Sequence, residues 1–162
     1  MPERFQKRKE RRIGIISDTH GLVRPGVIEA FRGVELIIHA GDVGGPEVFT
    51  ALQAVAPVVA VRGNVDREEW AGKLPKTKVV ALDQILLYVL HDVHRLDLDP
   101  AAAGFGAVIS GHSHQPSAAE RNGVLFLNPG SAGPRRFKLP VGVALLHLED
   151  NSLKAELVEL MV

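Results

Sequence analysis

A chain of 162 residues has the usual length of one domain, long enough to bury about two thirds of the surface that it exposes when unfolded. It carries 19 basic and 19 acidic residues, so its formal net charge is zero and its composition does not indicate a specific nucleic-acid-binding surface. The absence of cysteine excludes a disulfide framework and thiolate metal sites, and it is typical of a cytoplasmic protein. A bound metal would therefore need His, Asp, Glu or Asn ligands.

The chain begins with a basic leader over residues 1–12, MPERFQKRKERR, for which we expect a solvated and flexible tail. Weak contact of this leader with an anionic partner is the alternative. The apolar run that follows it, IGII, is far shorter than a signal-peptide core or a membrane span. We therefore expect no export and no membrane association, and a single domain over residues 13–162.

The first half of the chain alternates short apolar runs with helix-like segments, a pattern typical of parallel strands covered by helices. The predicted strands are residues 13–17, 35–40 and 57–62, and the predicted helices are residues 24–33 and 45–56. Pro25 and Pro46 stand near the two helix starts, where proline is favoured.

Beyond Trp70 the pattern changes to apolar runs joined by short polar turns, which predicts antiparallel hairpins. The hairpins are predicted over residues 78–91, 117–128 and 141–160, with a further strand at 107–110. Their turns fall at Asp83-Gln84, Asn122-Gly123 and Asp150-Asn151. The whole pattern predicts an α/β fold.

Five of the predicted strands end in a polar motif: SDTHG, HAGD, RGNVD, LHD and SGHSH. Because ligands of open α/β sheets bind beyond the carboxyl ends of the strands, we expect these motifs to lie together. Their candidate metal ligands are Asp18, His20, Asp42, Asn64, His91, His112 and His114. Oxygen and nitrogen donors without sulfur suit two divalent ions about 3.5–4 Å apart that share one carboxylate.

Each motif alone has an ordinary structural explanation. A single histidine is commonly a surface or core residue, Gly-Asp and Gly-Asn are frequent turn dipeptides, and Ser17 or Asp18 could cap a helix. The coincidence of such motifs at five strand ends favours a metal centre.

The ordered set SDTHG, HAGD, RGNVD, LH, GHSH and NPGS resembles the calcineurin-like metallophosphoesterases, above all their small bacterial and archaeal phosphodiesterase branch. The resemblance covers residues 13–140. It implies two mixed β-sheets packed as a sandwich with flanking helices, in a four-layer αββα arrangement. It also implies two ligand sets that share Asp42: Asp18, His20, Asp42 and His114 for one ion, and Asp42, Asn64, His91 and His112 for the other.

Two divalent cations bridged by Asp42 would hold a hydroxide for in-line attack at phosphorus and would neutralise phosphoryl charge. We therefore predict a metal-dependent phosphodiesterase that acts on a phosphoester substrate. Manganese is the expected ion, and nickel, iron and zinc are alternatives because imidazole and carboxylate suit all four. The predicted catalytic residues are Asp42, Asn64, His112 and His114.

Anion-facing groups near these motifs give a second set of candidates. The predicted substrate-binding residues are Arg62, Asn128, Ser131 and Arg135, with Arg136 as the alternative to Arg135. Surface arginines and a simple turn at NPGS would explain the same residues without any role in binding.

Two positions depart from the family pattern. Val65 stands where many members carry a histidine that is the usual candidate to protonate the leaving group, although the small branch often lacks it, so the general acid is unassigned. Asp92 follows His91 where glycine is more common, and this leaves His94 as an alternative ligand. We favour His91 because it ends a strand. For His39 we expect a supporting role, either orienting a ligand or filling the core.

The alternative function is a non-catalytic metal-binding scaffold or protein-interaction module of the same fold, as in a eukaryotic membrane-coat subunit that has lost ligands. All seven ligand positions here carry competent residues, which favours retained catalysis. The natural substrate and the oligomeric state, including a homo-oligomer, stay open.

Overall fold

Two mixed five-stranded sheets form the framework in the computed structural model, which describes residues 11–162. The strands are β1 (Arg11–Ile16), β2 (Leu36–His39), β3 (Val58–Ala60), β4 (Thr77–Leu82), β5 (Ile85–Leu90), β6 (Phe105–Ile109), β7 (Ser117–Arg121), β8 (Val124–Asn128), β9 (Gly142–Glu149) and β10 (Ser152–Glu159). The helices are α1 (Pro25–Ala30) and α2 (Pro46–Gln53), and short 3-10 helices lie at Glu69–Lys73 and Val93–Arg95.

The strand order confirms the predicted two-sheet α/β architecture. The first sheet has the order β10-β9-β1-β2-β3, in which β1, β2 and β3 are parallel. The second has the order β4-β5-β6-β8-β7, in which β5, β6 and β8 are parallel. The three predicted hairpins are β4–β5, β7–β8 and β9–β10, all antiparallel.

The main core lies between the two sheets. Ile15 and Ile38 from the first sheet are fully buried in one apolar cluster with Leu87 and Ile109 from the second. Burial of such side chains contributes about 1.5–3 kcal/mol each and fixes the sheets face to face.

The outer faces of the two sheets are covered differently. Both α-helices lie on the first sheet, where Val27, Phe31 and Leu52 are fully buried. On the second sheet, Val93 and Leu96 pack against a small cluster of buried strand residues. The predicted fourth layer is therefore thin in the described chain.

Strand β1 begins at Arg11, two residues earlier than predicted. Arg11 donates from Nε to Glu35 Oε1 at 2.8 Å and lies 2.8 Å from Asp83 Oδ2, so it links β1 to the turn between β4 and β5. Arg11 and Arg12 therefore belong to the sheet rather than to the leader. Residues 1–10 of the predicted leader lie outside the described chain. Within residues 11–162, none of the helices is both long and apolar enough to cross a membrane.

Candidate metal centre

The polar motifs meet because the strands that precede them end at the same level. Ile16 of β1 pairs with His39 of β2, and His39 pairs with Ala60 of β3. Beyond these ends the loops stay hydrogen-bonded: Asp18 N–H donates to Gly41 O, and His20 N–H donates to Asp42 O, both at 3.0 Å. The first two motifs are thus held side by side by their own backbone.

A second contact joins the ends of the other sheet to this edge. Gly111 N–H, after β6, donates to His91 O, after β5, at 2.9 Å. His112 N–H donates to the Asp18 carboxylate at 3.1 Å, which connects the two sheets. Motifs from both sheets therefore form one cluster, as the strand-end pattern predicts.

Asp18 is fully buried at the middle of this cluster. Its Oδ2 accepts hydrogen bonds from Ser17 Oγ at 2.7 Å and from His112 N–H. Its Oδ1 lies 3.4 Å from Nε2 of His114, 3.8 Å from Nε2 of His91 and 3.9 Å from Nε2 of His20. One oxygen is fixed by the protein, and the other faces three imidazoles.

The two carboxylate oxygens of Asp42 also have different neighbours. Its Oδ1 accepts a hydrogen bond from Val65 N–H at 3.0 Å. Its Oδ2 lies 3.2 Å from His91 Nε2 and 3.9 Å from His20 Nε2. Asp42 thus approaches one histidine from each of the two predicted ligand sets, as a shared ligand must.

The other predicted ligands lie on the open side of the cluster. Asn64 Nδ2 is 3.3 Å from His112 Nδ1, and the rings of His91 and His112 stand 5.2 Å apart. His112 Nε2 is 3.8 Å from Asp92 Oδ2, so a third carboxylate borders this part of the site. The structure thus brings all seven predicted ligands into one connected group.

His91, and not His94, points into the cluster. The side chain of His91 is 4% exposed, whereas that of His94 is 90% exposed and lies 3.3 Å from Asp92 Oδ1. His91 Nδ1 donates to Ala40 O at 2.8 Å, which leaves the lone pair of Nε2 directed at Asp42. This arrangement matches that of a metal-binding histidine, whose second nitrogen is commonly held by a carbonyl.

The electrostatics favour a cation at this position. Burial raises the pKa of Asp18. For Asp42, burial is outweighed by the neighbouring His91 ring and by the hydrogen bond from Val65 N–H, which hold its pKa well below the usual range. Burial opposes protonation of His91, but the two carboxylates raise its pKa above the ordinary value. The pair of acids therefore attracts positive charge into a buried space.

The donor atoms fit divalent metal ions. Ligand atoms of Asp18, His20 and His114 lie within 4.8 Å of one another, and so do those of Asp18, Asp42 and His91. Asp18 Oδ1, His20 Nε2 and His91 Nε2 are buried with no hydrogen-bond partner in the part of the chain that the structure describes. Because an unpaired buried polar atom is costly, converging ones indicate a site built for a ligand.

The backbone at these positions is unusual. Five of the predicted ligands have left-handed φ angles: Asp18 (56°), His20 (48°), Asp42 (56°), His112 (73°) and His114 (63°). Non-glycine residues rarely adopt such angles, and they tend to do so at functional sites.

Two glycines allow the loops to approach so closely. A Cβ at Gly111 would lie 2.7 Å from Asp18 Oδ2 and would overlap Ser17 Oγ. A Cβ at Gly63 would overlap Asp42 Oδ1 and its backbone nitrogen. The glycines of the SGHSH and RGNVD motifs are therefore required by packing against the two carboxylates.

His39 is a structural residue beneath the cluster. It is fully buried, its Nδ1 accepts from Gly41 N–H at 3.1 Å, and its Nε2 lies 3.0 Å from Thr19 Oγ1, which itself donates to Val43 O. Burial lowers the pKa of His39 to about 3, so the ring is neutral near pH 7. It connects the loops that carry the two carboxylates.

The side chains of Asn128 and Ser131 form hydrogen bonds with other groups of the protein. Asn128 Nδ2 donates to Gly111 O at 2.9 Å and to Ser113 Oγ at 3.1 Å, and its Oδ1 accepts from Gly130 N–H. Ser131 is buried and donates to Asp18 O at 3.0 Å. In this arrangement both residues hold ligand loops in place.

The predicted arginines differ in position. Arg62 lines a cavity of about 630 Å³ together with Asn64 and His91. Arg135 and Arg136 are exposed, and the charge of Arg136 helps burial to lower the pKa of His114. Arg136 thus lies within electrostatic reach of the centre. Val65 is 51% exposed beside Asn64 and has no proton to transfer.

Asp66, the last residue of the RGNVD motif, supports the site without being a predicted ligand. Its buried carboxylate accepts backbone N–H bonds from Val43 at 3.1 Å, Gly44 at 3.1 Å and Gly63 at 2.9 Å. It thereby connects the loop after β2 to the loop after β3. The motif RGNVD could have indicated this role, because a carboxylate in a tight turn commonly accepts hydrogen bonds from nearby backbone N–H groups.

Comparisons with known proteins agree with this geometry. Residues 12–151 match the model of the calcineurin-like phosphoesterase superfamily domain. The chain is 35% identical over 158 residues to a probable metallophosphoesterase of Methanothermobacter thermautotrophicus, an alignment that covers 90% of this chain and 91% of that one.

Solved structures share the fold. A structurally and functionally characterised archaeal phosphodiesterase superposes with a TM-score of 0.76 at 26% identity, covering 91% of this chain and 99% of the other. Vacuolar protein sorting 29 of Cryptosporidium parvum gives a TM-score of 0.74 at 19% identity, covering 93% and 98%, a likeness of fold alone. From the family model and the archaeal relative together, this chain belongs to the calcineurin-like phosphoesterase superfamily.

Proposed function

We propose that this protein is a dinuclear metal-dependent phosphodiesterase. The observation that carries the proposal is the convergence of Asp18 and Asp42 with histidines whose inward nitrogens are buried and unpaired among residues 11–162. The likeness to an archaeal phosphodiesterase supports diester hydrolysis as the reaction.

The proposed ligand sets are those implied by the motifs. One ion would be held by Asp18, His20, Asp42 and His114, and the other by Asp42, Asn64, His91 and His112. Bound divalent ions, manganese foremost, would supply Lewis-acid activation of water and neutralisation of phosphoryl charge. The proximity of Asp42 Oδ2 to both His20 and His91 supports its role as the shared ligand.

The chain's own groups have further proposed tasks. Hydrogen bonds from His91 Nδ1 to Ala40 O and from Val65 N–H to Asp42 fix the orientation of these ligands before substrate arrives. Arg62, on the wall beside Asn64, is placed to contact a phosphoryl oxygen. Because Val65 cannot donate a proton, the leaving group must depart with little help from that position.

The experiment is to strip the protein with a chelator, reload it with Mn²⁺, count ions by mass spectrometry and measure hydrolysis of bis(p-nitrophenyl) phosphate. We expect two ions per chain and turnover that disappears on stripping. Asp18→Asn should abolish turnover. Asp150→Asn is the matched control, because Asp150 has a similar left-handed φ of 50° in an exposed turn.

The same measurements separate the enzyme from a non-catalytic scaffold. A scaffold would bind ions and leave the diester intact at every metal loading, and that result would contradict the proposal. Loss of turnover in Asp150→Asn as well would show that the Asp18 effect is not specific to the site. The cytoplasmic location expected from the sequence stays a prediction.

A further inference from the structure

The cavity beside the metal centre has twice as many basic as acidic residues on its wall. It has a volume of about 630 Å³, and Asn64 and His91 form the side that faces the proposed ions. The basic residues on its walls are Arg62, Arg67, Lys76 and Arg95. Its volume falls within the range of roughly 300–1,000 Å³ that is usual for pockets that bind small molecules.

These cations come from separate segments that the fold brings together. Arg62 N–H donates to Pro75 O at 2.8 Å, which joins the end of β3 to the segment before β4. Thr77 pairs with Leu90, so Lys76 lies next to the end of β5, where His91 begins the site loop. Arg95 closes the 3-10 helix that follows Asp92.

The acids of the described cavity wall offset only half of its four positive charges. The acids on the cavity wall are Asp66 and Asp92. Asp66 already accepts three backbone N–H bonds, and Asp92 is directed at His94 and His112. None of the ion pairs within residues 11–162 includes a basic residue of this cavity.

We propose that this cavity binds a second phosphate group of the substrate, so that the substrate is a small phosphodiester that carries an additional phosphate. The inference rests on the proposed phosphodiesterase function and names its substrate class. The scissile phosphate would lie at the metal centre, and the cavity begins at Asn64 and His91, where that centre ends. Guanidinium groups suit phosphate because they donate paired hydrogen bonds.

A small ester fits better than a nucleic-acid strand. Single-stranded nucleic acids are bound by aromatic side chains that stack on successive bases along a basic groove. Among residues 11–162, the cavity wall includes no Phe, Tyr or Trp on which bases could stack. One additional phosphate is the anion that a single half-open cavity of this size would accept.

The test compares two chromogenic substrates with the same scissile bond: thymidine 5′-(p-nitrophenyl phosphate), with and without a 3′-phosphate. We expect kcat/KM to be about tenfold higher for the 3′-phosphorylated substrate, the usual size of one charge-assisted contact. The double variant Lys76→Ala/Arg95→Ala should reduce this ratio to about one while kcat/KM for the unphosphorylated substrate stays within about twofold. Lys78→Ala/Lys154→Ala, which removes two positive charges from exposed positions outside the cavity, is the matched control.

A binding measurement makes the test independent of turnover. Isothermal titration of the Mn²⁺-loaded protein should show tighter binding of thymidine 3′,5′-bisphosphate than of thymidine 5′-monophosphate, and the double variant should remove the difference. Equal affinities and equal kcat/KM values would overturn the inference while leaving the phosphodiesterase intact. A higher kcat/KM for a single-stranded oligonucleotide would overturn the small-ester class. Absence of turnover with a retained bisphosphate preference would contradict the proposed function and support the phosphate site.

Discussion

The Nδ1 atom of His91 donates a hydrogen bond of 2.8 Å to the carbonyl oxygen of Ala40, and this bond connects the second sheet to the first at the metal centre. It fixes the tautomer of His91 and directs Nε2 at Asp42. One hydrogen bond therefore joins the packing of the two sheets to the orientation of a proposed ligand.

Two variants of His91 separate these roles. In His91→Asn the amide nitrogen replaces Nδ1, so we expect the bond to Ala40 to persist while one ion is lost and turnover disappears. In His91→Gln an amide oxygen reaches the Nε2 position without a donor for Ala40, and we expect weakened metal binding, about 10–100-fold. Ion counting and thermal unfolding of the stripped proteins check both outcomes. Two ions in His91→Asn would contradict the assignment.

Asp42 is expected to affect both ions. Asp42→Ala removes the oxygen that lies near His20 and near His91, so ion content should fall well below two per chain and turnover should vanish. His114→Ala should mainly reduce one ion, because His114 contacts Asp18 on one side only. Metal titration followed by mass spectrometry distinguishes them. Similar ion losses in the two variants would rule out Asp42 as the shared ligand.

The absence of a histidine after Asn64 should determine which leaving groups are accepted. A positioned general acid contributes about 10²–10⁴-fold, so the native enzyme should cleave aryl diesters much faster than alkyl diesters. Val65→His, at a position that is 51% exposed, should raise the alkyl-to-aryl ratio of kcat/KM if its ring reaches the leaving oxygen. Native cleavage of alkyl diesters as fast as aryl ones would show that another group already supplies the proton.

Asp66 should matter for stability more than for chemistry. Asp66→Asn replaces one accepting oxygen with an NH₂ group that faces backbone N–H donors, so we expect a loss of about 3 kcal/mol in the free energy of unfolding. Urea denaturation of metal-free protein measures it. Asp97→Asn, an exposed acid, is the control, and an equal stability of the two variants would refute the structural role.

The buried histidine beneath the site should make stability depend on pH. The pKa of His39 is lowered to about 3, whereas in the unfolded chain it is about 6.5. The neutral His39 ring therefore contributes fully to the free energy of unfolding above pH 6.5. This contribution is lost as the pH falls toward 3, by at most about 1.4 kcal/mol per pH unit. Urea unfolding with chelator at pH 7.5 and 5.0 should show a loss about 2 kcal/mol larger in wild type than in His39→Asn. Identical losses would disprove this source of acid sensitivity.

The strand-end motifs could be predicted because each is local. A buried apolar run followed by Asp, Asn or His specifies a strand and the loop after it, and parallel strands in register carry such loops to one edge. The same pattern does not tell which way a loop side chain turns. Asn128 and Ser131 look like anion-binding residues in NPGS, yet their hydrogen bonds go to Gly111, Ser113 and Asp18.

The cationic cavity could not be predicted in this way. Arg62, Lys76 and Arg95 belong to three segments, and their convergence depends on the contact at Pro75 and on the pairing of Thr77 with Leu90. A formal net charge of zero for the whole chain conceals a local excess of positive charge. Composition describes the average surface, whereas recognition depends on how a few side chains are grouped.

The left-handed backbone at five proposed ligands also limits how this site can evolve. Asp and His are among the few non-glycine residues that tolerate such angles, so the conformation and the coordination chemistry select nearly the same amino acids. Replacement by glycine would remove the strain of the left-handed φ angle but also the metal-binding atom. Most other replacements would keep the strain and remove the metal-binding atom as well. Descendants of this chain that abandon metal binding should therefore gain glycine or asparagine at these positions first, which gives inactive relatives a recognisable signature.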